Sequence, residues 1–148
     1  MKKIVVVVLF FSSFCFGQES KNQEIEKPIR DLFLGMKNAD AELLKSAFAE
    51  TAILQTITKD GVVKTDSIPD FASSISKASK GDLDERITIE SIHIDGDLAS
   101  IFTPYQFYYK GKFSHCGANS FQLVRQNNSW KIQYIIDTRR KENCENIK

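Results

Sequence analysis

Apolar residues recur at helical spacing in the first half of the chain. In the first such segment they return every three or four residues, which predicts an amphipathic helix with Pro28 in its first turn. A break follows, and Asp40 is a good N-cap for a second helix. Residues 67–79 repeat the spacing with Pro69 in the first turn, which predicts a third helix. The apolar positions of the first helix are Ile25, Ile29, Leu32, Phe33 and Met36.

Alternation of apolar and polar residues predicts strands elsewhere. Residues 53–58 and 62–65 flank Asp60-Gly61, and Asp-Gly is a strong hairpin signal. From Arg86 onward the alternation and its turn residues predict a meander of four strands. The isoleucines of the first of these strands are out of phase, which predicts a bulge near Glu90 or Ser91.

Short turns allow the pairing of the last three strands to be predicted, because a slip of one residue would turn every side chain over. The expected pairs are Tyr109 with Phe113, Phe107 with His115, Tyr105 with Gly117, Thr103 with Asn119, Arg125 with Trp130, Leu123 with Ile132, Phe121 with Tyr134, Asn119 with Ile136 and Gly117 with Thr138. This register predicts one apolar inner face, formed by Ile101, Phe107, Phe113, Phe121, Leu123, Trp130, Ile132 and Ile136. Asp137 falls on the opposite, polar face.

The N-terminus has the layout of a cleavable signal peptide. Lys2 and Lys3 precede an apolar stretch, and a small residue, Gly17, stands before polar Gln18. We expect cleavage after Gly17, which removes residues 1–17 and predicts a periplasmic or secreted protein. A permanent span needs about 20 apolar residues, so no membrane span is expected.

Length and charge restrict what the remaining chain can be. The full chain has 20 Lys and Arg against 19 Asp and Glu, and the leader takes two lysines and no acid, which leaves 18 against 19. A near-neutral chain argues against a nucleic-acid partner. We expect a disordered lead at residues 18–23, one domain at 24–140 and a tail at 141–148.

The cysteine count becomes informative once the leader is removed. Cys15 leaves with it, whereas Cys116 and Cys144 remain. In an oxidising compartment two thiols predict a disulfide, the alternative being two free thiols. The predicted register puts Cys116 opposite Arg139, so a tail that turns back would bring Cys144 to it.

The order of elements, the Asn38-Ala39-Asp40 break and the closing Trp130-Lys131-Ile132 strand resemble the nuclear transport factor 2-like superfamily. Residues 130–144 are similar to small exported proteins labelled lumazine-binding. The resemblance implies an α+β fold in which N-terminal helices pack on a strongly curved, mixed or antiparallel sheet, forming a cone with an internal pocket. It also implies a ligand.

A polar patch on the predicted inner face is the candidate ligand site. Aromatic burial with a few orienting polar atoms is what a small-molecule pocket needs. The predicted binding residues are Thr103, Tyr105, Phe107, His115, Asn119, Tyr134 and Thr138, and the expected ligand is a small, partly aromatic or apolar molecule. Arg139 and its basic neighbours would hold an anionic group or form a solvated chain end. No cofactor fingerprint and no metal-ligand spacing is present.

Three functions remain open at this point. The first is a non-catalytic binding protein. The second is an isomerase or cyclase-like enzyme with His115 as base and Tyr105 or Tyr134 as electrophile, although the superfamily's base and tyrosine positions match Thr56 and Leu32 here. The third is a homodimeric interaction module with an apolar outer patch of Phe102, Tyr108 and Ile135.

Overall fold

The computed structural model describes residues 16–144, and their side chains from residue 22 onward. The predicted signal peptide lies almost entirely outside the described residues, as do residues 145–148. The described elements are α1 (Phe16–Asn38), α2 (Ala41–Ser46), β1 (Phe48–Ile57), β2 (Val63–Asp66), α3 (Ile68–Ser76), β3 (Leu83–Ile87), β4 (Ser91–Asp95), β5 (Leu98–Tyr109), β6 (Lys112–Gln126) and β7 (Ser129–Thr138).

The seven strands of the described residues form one mixed sheet in the order β2, β1, β7, β6, β5, β3, with β4 also paired to β5. Strands β1 and β7 run parallel, and the other pairs are antiparallel. The sheet is not closed. Apolar residues of α1, α2 and α3 form one core cluster with residues of β5, β6 and β7. This confirms the predicted α+β fold, in which helices pack on a large mixed sheet.

Helix α1 is longer than predicted. It begins at Phe16, so residues 18–23, expected as a disordered lead, are helical, and Pro28 lies inside the helix instead of in its first turn. Glutamine, glutamate and lysine have good helix propensity, which explains how the helix extends beyond its amphipathic part. The predicted apolar stripe is correct, since all five of its side chains are buried. Asp40 caps α2 as predicted: its Oδ1 accepts hydrogen bonds from the backbone N–H groups of Glu42 and Leu43, at 3.1 and 2.9 Å.

The bulge predicted near Glu90 is present, and it divides the expected long strand into β3 and β4. Ile87 pairs with Tyr105 and Ser91 pairs with Phe102. The chain therefore advances four residues from β3 to β4 where the paired strand β5 advances three, which leaves one extra residue. The extra residue restores the phase of the isoleucines. Strand β3 begins at Leu83, before the predicted start at Arg86.

The register between β5 and β6 was predicted correctly except at the turn. Lys110 and Gly111 both have positive φ, 51° and 73°, as in a two-residue hairpin turn, and Tyr109 therefore pairs with Lys112 instead of Phe113. A register shift beyond Phe107 then restores the predicted pairs. The predicted inner position of Phe113 was wrong, because this side chain is 45% exposed.

A bulge at Gln133 changes the predicted register between β6 and β7. The pair of Leu123 with Ile132 is as expected, but the next pair is Gln122 with Tyr134. Phe121 consequently pairs with Ile135 instead of Tyr134, and Asn119 pairs with Asp137 instead of Ile136. Ile135 and Asp137 are buried on the inner face, at 5% and 7% exposure, whereas Tyr134, Ile136 and Thr138 alternate onto the other face.

The structure contains the predicted disulfide between Cys116 and Cys144, whose Cα atoms are 5.7 Å apart. Cys116 also forms an isolated bridge with Arg140, through two backbone hydrogen bonds of 2.9 and 2.8 Å. The predicted partner, Arg139, was wrong by one residue because of the bulge at Gln133. As a result, Arg139 and Arg140 extend in opposite directions from the end of β7.

Candidate functional site

Two adjoining cavities lie between the helices and the inner face of the sheet. The deep cavity has a volume of about 90 Å³, and the wider cleft beside α3 has a volume of about 400 Å³. Five residues line both spaces: Met36, Phe71, Glu85, His115 and Arg139. These residues mark the junction of the two cavities.

The wall of the deep cavity opposite the sheet is apolar. Helix α1 contributes Leu32, Phe33 and Met36, which recur on one face because helical neighbours are three and four residues apart. Phe71 of α3 belongs to the same wall, and the sheet adds apolar surface through Phe48, Leu54 and Ile135. The inward position of Ile135 follows from the bulge at Gln133.

The floor of the deep cavity is polar and centred on Asp137. Thr56 donates to Asp137 Oδ1 at 2.5 Å, and Arg139 Nε donates to Oδ2 at 2.9 Å. The hydroxyl of Tyr105 lies 3.2 Å from the same Oδ2 and 2.9 Å from the carbonyl oxygen of Thr138, so its one proton is shared between two acceptors. Both oxygens of Asp137 are therefore occupied by protein donors.

Arg139 is held in place by this floor. Its Nη2 donates to Thr56 Oγ1 at 3.1 Å, in addition to the Nε bond with Asp137. Burial alone would lower the pKa of the guanidinium, but the bond to Asp137 and the neighbouring carboxylates outweigh it and raise that pKa. The carboxylate of Asp137 compensates the charge of Arg139.

Glu85 of β3 is a second carboxyl group at the cavity junction. The side-chain nitrogen Nδ2 of Asn119 donates to Glu85 Oε1 at 2.9 Å and lies 3.4 Å from Thr103 Oγ1. Burial raises the pKa of the Glu85 carboxyl to about 7. The hydrogen bond from Asn119 and the charge of Arg139 lower this pKa, whereas the charge of Asp137 raises it further. Glu85 therefore titrates near neutral pH.

His115 lies beside this group on β6. Its ring is perpendicular to that of Tyr105, with centroids 5.7 Å apart, and tilted at 41° to that of Phe107 at 5.0 Å. Nδ1 is 3.1 Å from the hydroxyl of Ser114. Burial and the charge of Arg139 lower the pKa of His115, so the imidazole is neutral at neutral pH.

Four of the seven predicted binding residues line the two cavities. Tyr105, His115 and Asn119 line the deep cavity, and Phe107 lines the cleft. Thr103 is fully buried behind Asn119 and lines neither space.

The prediction was wrong for Tyr134 and Thr138, which the bulge moves to the other face. The hydroxyl of Tyr134 donates to Gln55 Oε1 at 2.8 Å there, and exposed Thr138 accepts from the backbone N–H of Ala118 at 3.2 Å. Ile135 is likewise lost from the predicted outer patch. Of that patch Phe102 is 41% exposed, while Tyr108 is half-buried under the guanidinium of Arg86, 4.1 Å from its ring centroid.

Three of the charged residues of the site were not among the predicted binding residues: Glu85, Asp137 and Arg139. Asp137 had been assigned to the polar face by a register without the bulge, and Glu85 precedes the predicted start of its strand. Arg139 was noted as a candidate for an anionic group. The signal that could have identified Glu85 is the continuation of β3 to Leu83, where it pairs with the end of β5.

A further cavity of about 310 Å³ lies elsewhere, between α1 and the turn that joins β6 to β7. Three of the charged groups that line it are engaged in the protein: Lys27 pairs with Asp31 at 2.5 Å, and Lys131 Nζ donates to the carbonyl oxygen of Ser46 at 2.5 Å. Among the described residues, no group of three or more His, Cys, Asp or Glu side chains is arranged to hold a metal ion. No helix in this part of the chain is long and apolar enough to cross a membrane.

Comparison with known proteins places this geometry in a family. The model of the family described as "Putative lumazine-binding" matches residues 20–134. A search of curated proteins finds no match.

Among solved structures, similar folds include an NTF2-like protein of unknown function from Shewanella baltica, with 18% identity and a TM-score of 0.67, over 88% of this chain and 100% of that one. A second, from Silicibacter pomeroyi, has 16% identity and a TM-score of 0.68, over 84% and 100%. An NTF2-like protein with a cystatin-like fold from Novosphingobium aromaticivorans has 15% identity and a TM-score of 0.65, over 85% and 86%. The chain belongs to the family described as "Putative lumazine-binding", and it shares the fold of these NTF2-like proteins.

Proposed function

We propose that this chain is an exported, non-catalytic protein that binds a small, partly aromatic or apolar molecule in the two adjoining cavities. The observation that carries the proposal is the combination of an apolar helical wall with a polar floor whose groups bond mainly to one another. Such a site supplies burial from one side and orientation from the other. The family description, which refers to lumazine binding, supports a small-molecule ligand.

The volumes indicate how a ligand would lie. Small-molecule sites commonly measure about 300 to 1,000 Å³, a range that includes the cleft but not the deep cavity. A ligand would therefore occupy the cleft along Phe107 and Phe71 and insert one end into the deep cavity.

The enzyme alternative has one favourable observation, a neutral His115 at the junction of both cavities. Its predicted electrophiles are poorly suited to the task. Tyr134 lies on the other face, and burial together with the nearby carboxylates Glu85 and Asp137 raises the pKa of Tyr105, whose proton is already shared between Asp137 and Thr138. A tyrosine that polarises a carbonyl needs a proton free for the substrate.

Export is supported by the disulfide and by the layout of the N-terminus. Disulfides persist in oxidising compartments and are rare in the cytosol. A homodimer remains part of the interaction-module alternative, with exposed Phe102 as the remaining core of its patch.

Native mass spectrometry of the protein purified from its own host tests the proposal. We expect a co-purifying small molecule in the wild type, reduced in His115→Ala and unchanged in His93→Ala, a matched control at an exposed position of β4. A wild-type protein that carries no molecule, and whose cavities are filled by side chains in an experimental structure, would contradict it. Turnover of the co-purified molecule that His115→Ala abolishes would favour the enzyme instead.

A further inference from the structure

Three polar atoms at the junction of the cavities have no hydrogen-bond partner among residues 22–144. They are the second carboxyl oxygen of Glu85, Nη1 of Arg139 and Nε2 of His115. No fully buried side-chain nitrogen or oxygen of the described residues lacks a partner. Glu85 and His115 are half-buried, so their free atoms border open space, and all three residues line both cavities.

The three groups differ in how their charge is compensated. Arg139 is paired with Asp137 at 2.9 Å, and His115 is neutral. Glu85, by contrast, has only an amide donor, Asn119, within hydrogen-bond distance. When ionised, its carboxylate is the unpaired charge of the junction, and its second oxygen can only accept a hydrogen bond.

The surroundings of Glu85 determine which ligand groups fit beside it. The titratable and charged groups that line the two cavities with it are Asp66 of β2, Lys77 after α3, Tyr105 and Tyr109 of β5, His115 of β6, Asp137 of β7 and Arg139 after it. Helices α1 and α3 contribute only apolar side chains to the junction, Met36 and Phe71. Lys77 lines only the cleft, and Asp137 and Arg139 compensate each other, so an anionic ligand group at the junction would meet the charge of Glu85 without a free counter-charge there.

We propose that the cavities bind a small aromatic or heteroaromatic molecule that donates a hydrogen bond from nitrogen to Glu85, in preference to one that carries a carboxylate or phosphate. This inference rests on the proposed function and names the ligand class of the same site. The aromatic part would lie along the apolar walls. The N–H group would occupy the junction, where a carboxylate acceptor strengthens the hydrogen bond.

A pH dependence of known sign follows. The carboxyl of Glu85 has a pKa of about 7, so about a tenth of it is ionised at pH 6 and about nine tenths at pH 8. If the ionised form accepts the ligand N–H, the apparent Kd falls as pH rises, by about tenfold over this interval. A ligand that instead accepted a proton from the neutral carboxyl would bind more tightly at pH 6.

Two matched probes test the inference, naphthalene-2-carboxamide and 2-naphthoate. They share size and apolar surface, and neither changes charge between pH 6 and 8. Any change in affinity that titration calorimetry measures between these pH values therefore comes from titrating groups of the protein. We expect the amide to bind at least tenfold more tightly than the anion, and about tenfold more tightly at pH 8 than at pH 6. Glu85→Gln retains a carbonyl acceptor and should bind the amide with no pH dependence, whereas Glu90→Gln, the same change at an exposed position outside the cavities, should behave as wild type.

The inference is overturned if 2-naphthoate binds as tightly as the amide, if affinity is higher at pH 6, or if Glu85→Gln keeps the pH dependence. A co-purified ligand without an N–H donor would overturn the inference and leave the proposed function intact. Failure of both probes to bind, together with no co-purified molecule, would overturn both.

Discussion

Opening the disulfide by replacing Cys144 with serine should destabilise the folded chain substantially. The two cysteines are 28 residues apart. For a loop of that length, the chain-entropy relation gives a loss of about 3.6 kcal/mol at 25 °C, because the unfolded chain regains the freedom that the cross-link removed. The bond also holds Cys116 beside Arg140, next to the arginine of the site, so its loss should loosen that segment.

Urea unfolding monitored by the fluorescence of the single tryptophan, Trp130, measures the effect. With slopes of about 1 to 3 kcal/mol per molar urea, a loss of about 3.6 kcal/mol should lower the unfolding midpoint of Cys144→Ser by roughly 1.2 to 3.6 M. Dithiothreitol should lower the unfolding midpoint of the wild type to that of the variant, and it should leave the midpoint of the variant unchanged. Equal midpoints for oxidised wild type and variant, or an equal effect of reductant on both, would refute the reasoning.

Three further perturbations test the structure around the site. The free energy of unfolding should decrease as pH rises from 4.5 to about 7, because the unfolded chain loses the proton of Glu85 at lower pH than the folded one. Glu85→Gln should abolish this component of the decrease. An unchanged pH profile of this variant in urea unfolding would contradict the prediction. Gly117→Ala would place a Cβ 1.8 Å from the carbonyl oxygen of Thr138 and 2.7 Å from a ring carbon of Tyr105. It should therefore lower the free energy of unfolding by about 3 kcal/mol and weaken ligand binding. Thermal unfolding with and without ligand measures both effects, and wild-type behaviour would show that the strands are not this close. Asp40→Ala should lower the free energy of unfolding by about 1 kcal/mol through loss of the α2 cap, whereas Asp40→Asn should retain most of the stabilisation by the cap. Equal losses of stability in urea unfolding would argue against capping.

Much of the fold follows from local sequence patterns. The apolar stripe of α1 from Ile25 to Met36, the cap at Asp40 and the turn at Asp60-Gly61 each depend on interactions between residues close in sequence. The same holds for the bulge after Ile87, because a change of phase within one strand is visible in its own alternation. The pair of Phe107 with His115 was predicted correctly although the turn was not, because the register shift beyond Phe107 offsets the shorter turn.

The site itself was only partly predictable. Tyr105, His115 and Asn119 were identified because the register between β5 and β6, which sets the faces of all three, was predicted correctly. Asp137 was assigned to the wrong face, since the bulge at Gln133 is not apparent in the alternation of the residues around it. Alternation assigns faces only relative to a known starting point, and one extra residue reverses every later assignment.

The sequence by itself determined the helices, most strands, the cysteine pair and the family. The tertiary structure decided which carboxyl groups face the cavities. Glu85 and Asp137 lie 52 positions apart in the chain, and they share one site only because β5, β6 and β7 place β3 and the end of β7 around the same space. Their burial, and the near-neutral pKa of Glu85 that results from it, depends on side chains from separate elements, which no local pattern encodes.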